Sequence, residues 1–463
     1  MARTEPARGM RDFLPEDVRR REYVIAVIKR VYERYGFEPL ETPAVENIET
    51  LLGKYGEEGN QLIFKILKRG EHEASGQADL ALRYDLTVPL ARVVAQHQRK
   101  LPRLFKRYQI QPVWRADRPA RGRFREFYQC DVDSLGSTSA VVEAELCAAM
   151  SDALTELGFS DFVIRINHRE LLTAVLSAVG IAKDRHETTL VMLDKLDRLG
   201  DELWEKYKET DISHPSIEGL RRAIEGENRP SASASPTASA AIRGLNRPTA
   251  TLDEVEDVFK KFRRPVPPAI ANLREIRDLA GHTSARGRVI FDPSLARGLS
   301  YYTGAIMEIN VADLAGSLGG GGRYDNLVGM FLGQNIPACG FSLGLERILV
   351  VMTERNMFPP TLATTPADVM IATFDAAGAA AALRLAGTLR GAGLRVFVYP
   401  DAEKIGKQIK YADSRGIPFV ALLGDDEINA GTVTVKNLAA QTQATYDQSA
   451  AGAEILEALR QRG

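Results

Sequence analysis

The stretch LFKRYQIQPVWRADRPARGRFREFYQCDVD, residues 104–133, is the most informative part of this sequence. Its aromatic and β-branched residues predict two strands, 105–115 and 124–133, joined by a loop that contains proline and glycine. Five arginines fall within residues 115–125, inside the strands as well as in the loop. A solvated basic turn needs no such density of guanidinium groups. The arginines therefore favour a site for polyphosphate or nucleic acid.

Composition is that of an ordinary globular protein, and 463 residues are enough for two or three domains. The formal net charge is −1, so a nucleic-acid partner would have to contact local basic patches. The three cysteines have no paired spacing and the six histidines lack metal-ligand spacing, which predicts reduced thiols and no metal site built by the protein. No stretch resembles a signal peptide or a membrane span, so we expect a cytoplasmic protein without membrane contact.

The segments on both sides of the arginine-rich stretch predict a unit of mixed helices and strands. In chain order these are a helix at 18–35, an edge strand ending at Pro43, paired strands at 62–67 and 80–84, a helix at 88–98, a helix at 139–157 and strands at 162–166, 287–291 and 301–311. Between 169 and 284 the chain is helical, charged and poor in motifs, which indicates an insertion. Its Ser/Ala/Pro run at 231–241 predicts a mobile loop.

Two segments near the end of this unit have more than one interpretation. SLGGGGRYDNLVG, residues 317–329, lacks the Gly-Lys-Ser/Thr of a phosphate loop. It is either a flexible turn or, as we favour, a glycine floor that lets a small ligand contact the backbone. GFSLGLERILVVM, residues 340–352, predicts a strand that enters a buried helix. There Glu346 and Arg347 either form a salt bridge at the helix edge or Arg347 points into a site.

The C-terminal part of the chain has a different pattern. After a proline-rich linker, residues 368–423 alternate apolar strands with helices, which predicts a small domain with a parallel sheet. One of these helices carries Lys404, Lys407 and Lys410 at intervals of three. Taken alone, this spacing favours a solvated face, and the other interpretation is a basic stripe for RNA phosphates.

These motifs together resemble the class II aminoacyl-tRNA synthetases and, over nearly the whole length, the histidyl-tRNA synthetase family. GFEPLETP (36–43) is similar to the first class motif at a dimer interface, WRAD (114–117) with RGRFREFYQCDVD (121–133) to the second, and GFSLGLERIL (340–349) to the third. RGLSYYTG (297–304) resembles the histidine-specific signature, and KIGKQIKYAD (404–413) a part of the anticodon-binding domain. The chain departs from the usual family pattern at two positions. It has Asp117 where the family often has Glu, and Ser300 where the family usually has Asp.

The resemblance implies an α+β fold with several parts. These are a catalytic domain with a mostly antiparallel class II synthetase sheet (1–168 and 285–358), a mainly helical insertion (169–284), a linker (359–367) and an anticodon-binding α/β domain (368–463). The implied activity is ATP-dependent ligation of L-histidine to tRNA(His) through a histidyl-adenylate. ATP is then a substrate, Mg²⁺ is held mainly by the ATP phosphates, and the protein is a homodimer.

The site residues implied by the resemblance form two overlapping groups. The histidine group is Asp85, Leu86, Thr87, Arg115, Gln129, Asp133, Arg297, Tyr301 and Tyr302. The ATP group is Arg115, Asp117, Arg123 and Arg347. Arg115 and Arg297 are the implied catalytic residues, placed on opposite sides of the α-phosphate. No metal ligand is implied.

Two other functions compete with this interpretation. A non-catalytic regulatory subunit of ATP phosphoribosyltransferase resembles the same catalytic core, but it would lack the ATP-binding arginines and the C-terminal domain, which this chain has. A plain RNA-binding protein leaves GGGGRYD (319–325) and RGLSYYTG (297–304) without a purpose. The synthetase interpretation is therefore favoured over both.

Overall fold

The structure is a computed structural model, which describes residues 4–70, 75–226, 250–297, 301–312, 314, 316–359, 362 and 365–461. By their contacts, the described residues divide into two compact units, one within 1–12 and 21–357 and the other within 13–20 and 358–463. The predicted mobile loop at 231–241 and the unusual Ser300 lie outside the described residues.

Strands and helices alternate irregularly through residues 15–354, as expected for an α+β fold. The strands are β1 Glu38–Pro39, β2 Val45–Asn47, β3 Lys65–Leu67, β4 Ala78–Leu82, β5 Phe105–Trp114, β6 Glu126–Leu135, β7 Val163–His168, β8 Val289–Phe291, β9 Ala305–Asn310, β10 Gly319–Arg323 and β11 Ala338–Gly344. The helices are α1 Pro15–Arg34, α2 Ile48–Leu51, α3 Gly56–Gln61, α4 Thr87–His97, α5 Val141–Glu156, α6 Arg169–Ala178, α7 His186–Leu193, α8 Leu196–Leu199, α9 Glu202–Lys208, α10 His214–Glu225, α11 Leu252–Lys261, α12 Pro268–Ala280, α13 Gly329–Leu332 and α14 Leu345–Glu354.

Within the described residues, a sheet of eight strands forms the centre of the first unit, in the order β1-β5-β6-β11-β10-β9-β7-β8. The outermost pairs, β1 with β5 and β7 with β8, are parallel, and the pairs between them are antiparallel. The predicted α+β class with a mostly antiparallel sheet is thereby confirmed. β1 forms one edge of this sheet, and a smaller sheet has the order β2-β4-β3.

The arginine-rich stretch forms the hairpin that the sequence predicts, with β5 paired to β6 from Phe105 opposite Leu135 to Trp114 opposite Glu126. Along β6 the side chains alternate between the two faces of the sheet because the strand period is two. One face of this hairpin therefore carries residues 129, 131 and 133 side by side.

Helices cover the sheet through regularly spaced apolar residues. In α1 the buried stripe is Val24, Val27, Ile28, Val31 and Tyr32, and Gly36, with φ +73°, follows the helix in the left-handed conformation that glycine tolerates. Among the described residues from Arg169 to Ala280, helices α6 to α12 follow one another. Thr251 and Glu254 form a capping box at the start of α11.

The glycine-rich segment is a strand, so the flexible-turn interpretation is wrong. β10 runs antiparallel between β9 and β11, with all five residues buried. A Cβ atom on Gly319 or Gly321 would lie 2.4 or 2.0 Å from a backbone oxygen of β11. These two glycines are thus required by the close approach of the neighbouring strand.

The three cysteines, Cys130, Cys147 and Cys339, are free and buried. Burial raises the pKa of each thiol, that of Cys147 to about 12. They behave as small apolar residues of the core.

The second unit contains the predicted β-α-β-α-β segment and a hairpin that the sequence analysis missed. Its elements are β12 Val369–Thr373, α15 Ala379–Gly391, β13 Val396–Val398, α16 Ile405–Ser414, β14 Phe419–Leu423, α17 Asp425–Ala430, β15 Thr432–Asn437, β16 Thr442–Asp447 and α18 Ala451–Arg460. The strand order is β13-β12-β14-β15-β16, in which β12 pairs in parallel with β13 and β14, whereas β15 and β16 are antiparallel. The sheet is therefore mixed rather than parallel.

Candidate active site

A cavity of about 300 Å³ lies over the central sheet of the first unit. The hairpin β5–β6 and the glycine-rich strand β10 form part of its lining. Gln129, Asp131 and Asp133 of β6 lie opposite Gly344, Ser342 and Gly340 of β11. A Cβ atom on Gly340 would lie 2.0 Å from Oδ1 of Asp133, so only glycine leaves room for that carboxylate.

Asp85 is a buried carboxylate of this lining, held just before α4. Its Oδ1 accepts hydrogen bonds from the Tyr55 hydroxyl and the Val88 amide, both at 3.0 Å, and its Oδ2 accepts one from the Tyr301 hydroxyl at 3.3 Å. Burial raises the pKa of Asp85, although these hydrogen bonds act in the opposite direction. The carboxylate is thus fixed in position, and its lost hydration is only partly compensated.

Asp131 and Asp133 form a second group of acidic side chains on the same strand. Nη2 of the fully buried Arg107 lies 2.7 Å from Oδ2 of Asp133 and 4.0 Å from Oδ2 of Asp131. The Tyr324 hydroxyl donates a hydrogen bond to Asp133. Burial raises the pKa of Asp131 to about 7, because Arg107 offsets only part of the desolvation and the Asp133 charge adds to it. Burial likewise raises the pKa of Asp133.

Three acceptor atoms of these lining residues have no hydrogen-bond partner within the part of the chain that the structure describes. They are Oε1 of Gln129, Oδ1 of Asp131 and Oδ2 of Asp133, of which the last lies in the ion pair with Arg107. Nε2 of Gln129 donates to the Ser342 hydroxyl at 3.1 Å. A buried acceptor without a partner costs about 1–3 kcal/mol. Such atoms favour a ligand that carries hydrogen-bond donors.

Arginines form the other part of the lining. Arg115 is fixed by a hydrogen bond from its Nε to the Tyr84 carbonyl oxygen at 3.0 Å, with its guanidinium 4.3 Å from the centre of the Tyr84 ring. Nη1 of Arg347 donates to the Ser317 carbonyl oxygen at 2.5 Å. Burial lowers the pKa of Arg347, and the neighbouring charges of Arg123, Arg297 and Arg115 lower it further. The four guanidinium groups therefore form one positively charged region that favours an anion.

Glu346 and Arg347 do not pair with each other, so the interpretation as a salt bridge at the helix edge is wrong. Oε1 of Glu346 accepts a hydrogen bond from Arg21 Nη1 at 2.9 Å, and its Oε2 accepts one from the Tyr128 amide at 3.0 Å. Glu346 thus links α14 to α1 and β6, and Arg347 is left to line the cavity.

The cavity brings together nearly all of the residues singled out from the sequence. Those that line it are Asp85, Thr87, Arg115, Asp117, Arg123, Gln129, Asp133, Arg297, Tyr301, Tyr302 and Arg347. Leu86 is the exception, because its side chain is fully buried outside the lining and its carbonyl oxygen accepts a hydrogen bond from Arg107 at 3.3 Å. A role for the Leu86 side chain in binding a substrate does not fit this position.

Sequence reasoning missed Asp131, Tyr324 and Ser342, which also line the cavity. For Asp131 a signal was present, since it stands two residues from both Gln129 and Asp133 and strand alternation places all three on one face. The contribution of Tyr324 depends on the pairing of β10 with β11, which no local pattern indicates.

No group of three or more His, Cys, Asp or Glu residues in the described chain could hold a metal ion. Among the same residues, no helix is both long and apolar enough to cross a membrane.

Comparisons with known proteins agree with the motifs. The family model for histidyl-tRNA synthetase matches residues 9–348, and the model for an anticodon binding domain matches residues 368–460. The chain is 39% identical to a histidine–tRNA ligase from Cytophaga hutchinsonii, covering 95% of this chain and 97% of that protein. It is 38% identical to one from Gloeobacter violaceus, covering 98% of each.

A solved structure resembles the whole chain. The crystal structure of histidyl-tRNA synthetase from Nostoc sp. PCC 7120 matches with a TM-score of 0.76 and 28% identity. The match covers 99% of this chain and 100% of the Nostoc chain.

Proposed function

We propose, since the chain belongs to the histidyl-tRNA synthetase family, that it joins L-histidine to tRNA(His), consuming ATP and releasing pyrophosphate and AMP. One observation carries the proposal: buried carboxylates and a group of arginines line the same cavity. Histidine brings an ammonium group and an imidazole, whereas ATP brings phosphates. Each substrate would therefore meet charges or hydrogen-bond partners that suit it.

Histidine would occupy the acidic part of the cavity. Asp85, with Thr87 beside it, would take the α-ammonium group, and Gln129 and Asp133 would bind the imidazole, which would pack against Tyr301 and Tyr302. The two tyrosine rings contact each other, with centroids 4.9 Å apart, and both are buried, which supports an aromatic wall on one side of the pocket. An apolar amino acid would leave these polar groups unpaired, so discrimination of roughly 10⁴–10⁵ is accessible without proofreading.

ATP would occupy the basic part of the cavity. Arg123 in the hairpin loop would reach the terminal phosphates, with Asp117 beside it, and Arg347 would hold the nucleotide from α14. Mg²⁺ would neutralise charge on the phosphates and be held mainly by them and by water. The residues present fit this arrangement. The carboxylates of Glu346 and Glu308 are already paired with arginines, so they are not free to bind the metal ion.

The first chemical step would be attack of the histidine carboxylate on the α-phosphorus, with pyrophosphate leaving. Two anions approach each other in this step, so positioning and charge stabilisation are its main requirements. Arg115 and Arg297 would supply both as fixed donors at the α-phosphate. In the second step the 3′-hydroxyl of the terminal tRNA ribose would attack the histidyl carbonyl carbon, and AMP would leave.

The tRNA would also contact the second unit. The proposal includes a catalytic domain at 1–168 and 285–358, an insertion at 169–284, a linker at 359–367 and an anticodon-binding domain at 368–463. Lys404, Lys407 and Lys410 are exposed at the start of α16 and along it, which supports a phosphate contact. Changing all three to Glu should lower tRNA charging and leave histidine-dependent pyrophosphate exchange unchanged. If charging is unchanged, these lysines do not contact the tRNA.

A homodimer and a cytoplasmic location also belong to this proposal. Val45, Leu67 and Leu80 of the small sheet β2-β4-β3 are exposed apolar side chains, which supports burial of that surface by a second copy. Sedimentation velocity tests the dimer, and a monomer at micromolar concentration would contradict it.

The competing function, a regulatory subunit of ATP phosphoribosyltransferase, is disfavoured by the arginines lining the cavity and by the second unit. Histidine-dependent exchange of pyrophosphate into ATP by the purified protein tests the choice directly. A synthetase gives exchange that requires histidine, and a protein that binds histidine without exchange would overturn the proposal.

A further inference from the structure

A carboxylate on the central sheet forms an ion pair with Arg297. Nη1 of Arg297 lies 3.1 Å from Oε2 of Glu308, which lies on β9. The other oxygen of this carboxylate, Oε1, lies 3.5 Å from Nη1 of Arg165, whose Nη2 is 2.5 Å from Oδ2 of Asp292. Each oxygen of Glu308 therefore has its own guanidinium partner.

The chain of charges begins deep in the protein and ends at the cavity. Asp292 and Arg165 are almost completely buried, whereas Glu308 and Arg297 are partly accessible. The four side chains alternate in sign and sum to zero charge. Breaking such a buried set is costly, because it leaves a charge without its partner, and the set is therefore expected to stay in one arrangement.

Gly320 on β10 has no side chain, and this leaves room for Arg297. In the sheet register, Arg165 of β7, Glu308 of β9 and Gly320 of β10 lie in one row across three neighbouring strands. Cross-strand neighbours share a face of the sheet, so a side chain at 320 would stand next to Glu308. A Cβ atom built there would lie 2.1 Å from Nη1 of Arg297. The guanidinium thus fills the space that Gly320 leaves.

Gly320 differs in this respect from the glycines on both sides of it. At Gly319 and Gly321 the added atom would meet backbone oxygen of β11, which cannot move without disturbing the sheet. At Gly320 it would meet only the end of a long side chain. Alanine at 320 should therefore be accommodated by a shift of Arg297 rather than by loss of the fold.

We infer that Glu308 and Gly320 are positioning residues, which hold the Arg297 guanidinium at the α-phosphate site before the substrates bind. The inference rests on the proposed function, in which Arg297 stabilises charge at that phosphate. A guanidinium fixed in advance needs no reorganisation during the reaction, and a displacement of about 1 Å can cost on the order of 10² in rate.

The test is single-turnover formation of histidyl-adenylate by the full-length Gly320→Ala and Glu308→Gln variants. Gly320→Ala should lower the rate by on the order of 10², while the KM values for histidine and ATP and the melting temperature change little. Glu308→Gln keeps the size of the side chain but loses its charge, and should lower the rate in the same way. Gly387→Ala is the matched control, because Gly387 is exposed on α15 with no atom within 4 Å of an added Cβ, and its rate should equal that of the wild type.

A double-mutant cycle separates positioning from a merely structural role. In an Arg297→Ala background, Gly320→Ala should reduce the remaining rate by less than about twofold, because the group it displaces is gone. Rate losses that multiply, or a Gly320→Ala variant as active as the wild type, would overturn the inference. A wild-type protein without histidine-dependent exchange would overturn the proposed function as well, so the two failures are distinguishable.

Discussion

The acidic and basic parts of the cavity lining are built in different ways. Asp85, Asp131 and Asp133 are at most 3% exposed. Asp131 and Asp133 lie on β6, and Asp85 lies two residues before the start of α4. On the basic side, the Arg123 side chain is 56% exposed and projects from the hairpin loop, where its Nε lies 3.7 Å from Oδ2 of Asp117. One part is fixed by the sheet, and the other depends partly on a loop.

This difference matches the demands of the two proposed ligands. A small amino acid must be distinguished from others of similar size, and rigid, buried polar groups discriminate best because a wrong ligand leaves them unpaired. The terminal phosphates, which do not react, offer many equivalent oxygens, so an arginine on a loop can bind them in more than one position. Arg115 lies between these two cases, since it is fixed on the Tyr84 carbonyl oxygen yet carries the charge that a phosphate needs. The comparison predicts that substitutions in the two parts affect different substrates.

The largest effect is expected for Arg115→Ala. Loss of a fixed donor to the developing charge should lower single-turnover adenylate formation by on the order of 10²–10³. Arg121→Ala is the control from the same loop, because Arg121 pairs with Glu354 at the surface and does not line the cavity. Equal losses for the two variants would mean that the loop as a whole, rather than Arg115, is needed.

The acidic part is tested by Asp133→Asn and Gln129→Ala. Loss of a charged or buried hydrogen-bond partner costs roughly 1.5–3 kcal/mol, so the KM for histidine should rise at least tenfold. The KM for ATP should remain close to that of the wild type. Steady-state pyrophosphate exchange with each substrate varied in turn measures both. A rise in the KM for ATP alone would show that both residues bind ATP rather than histidine.

A smaller effect is expected in the pH dependence of stability, through Asp131. Its pKa of about 7 in the folded protein, raised by burial, compares with 3.8 when exposed. Between these pH values the folded state binds a proton that the unfolded state does not, so stability falls as pH rises from about 4 to 7 and then levels off. The contribution is at most about 1.4 kcal/mol per pH unit.

Asp131→Asn removes this titration. In urea unfolding, the variant should therefore gain stability relative to the wild type between pH 5 and 7, with no further gain up to pH 8. If the free energies of unfolding of the variant and the wild type differ by the same amount at pH 5 and pH 8, the carboxyl group does not titrate in this range.

The smallest effect is expected for Arg123→Ala. An exposed guanidinium is screened by water, so its loss should raise the KM for ATP about two- to fivefold and leave the KM for histidine unchanged. The change should shrink as salt is added, because exposed charges are screened. A loss as large as that of Arg115→Ala would mean that the loop closes over ATP and buries Arg123.

Several elements of the site could be predicted from the sequence because local patterns encode them. The sequence predicts the hairpin strands at 105–115 and 124–133, and the structure has them at Phe105–Trp114 and Glu126–Leu135. Strand alternation in that hairpin was sufficient to place Gln129 and Asp133 on one face, and the helix after Asp85 was predicted within one residue.

Other elements could not be predicted, because their causes are non-local. β10 consists of four glycines and an arginine, so it has no apolar alternation to indicate a strand, and its pairing with β9 and β11 determines its conformation. The strand predicted at 301–311 is observed only at Ala305–Asn310. Arg165 and Asp292 are 127 residues apart in sequence, and only the parallel pairing of β7 with β8 brings them together.

The buried cysteines make the protein suitable for site-specific chemical labelling. A thiol reacts with alkylating reagents as the thiolate, and raised pKa values and burial suppress that form at Cys130, Cys147 and Cys339. The native protein should resist iodoacetamide at neutral pH, whereas unfolding should expose three reactive thiols. A cysteine introduced at exposed Gly387 would then react selectively, so a single dye could be attached without removing any native residue of the core.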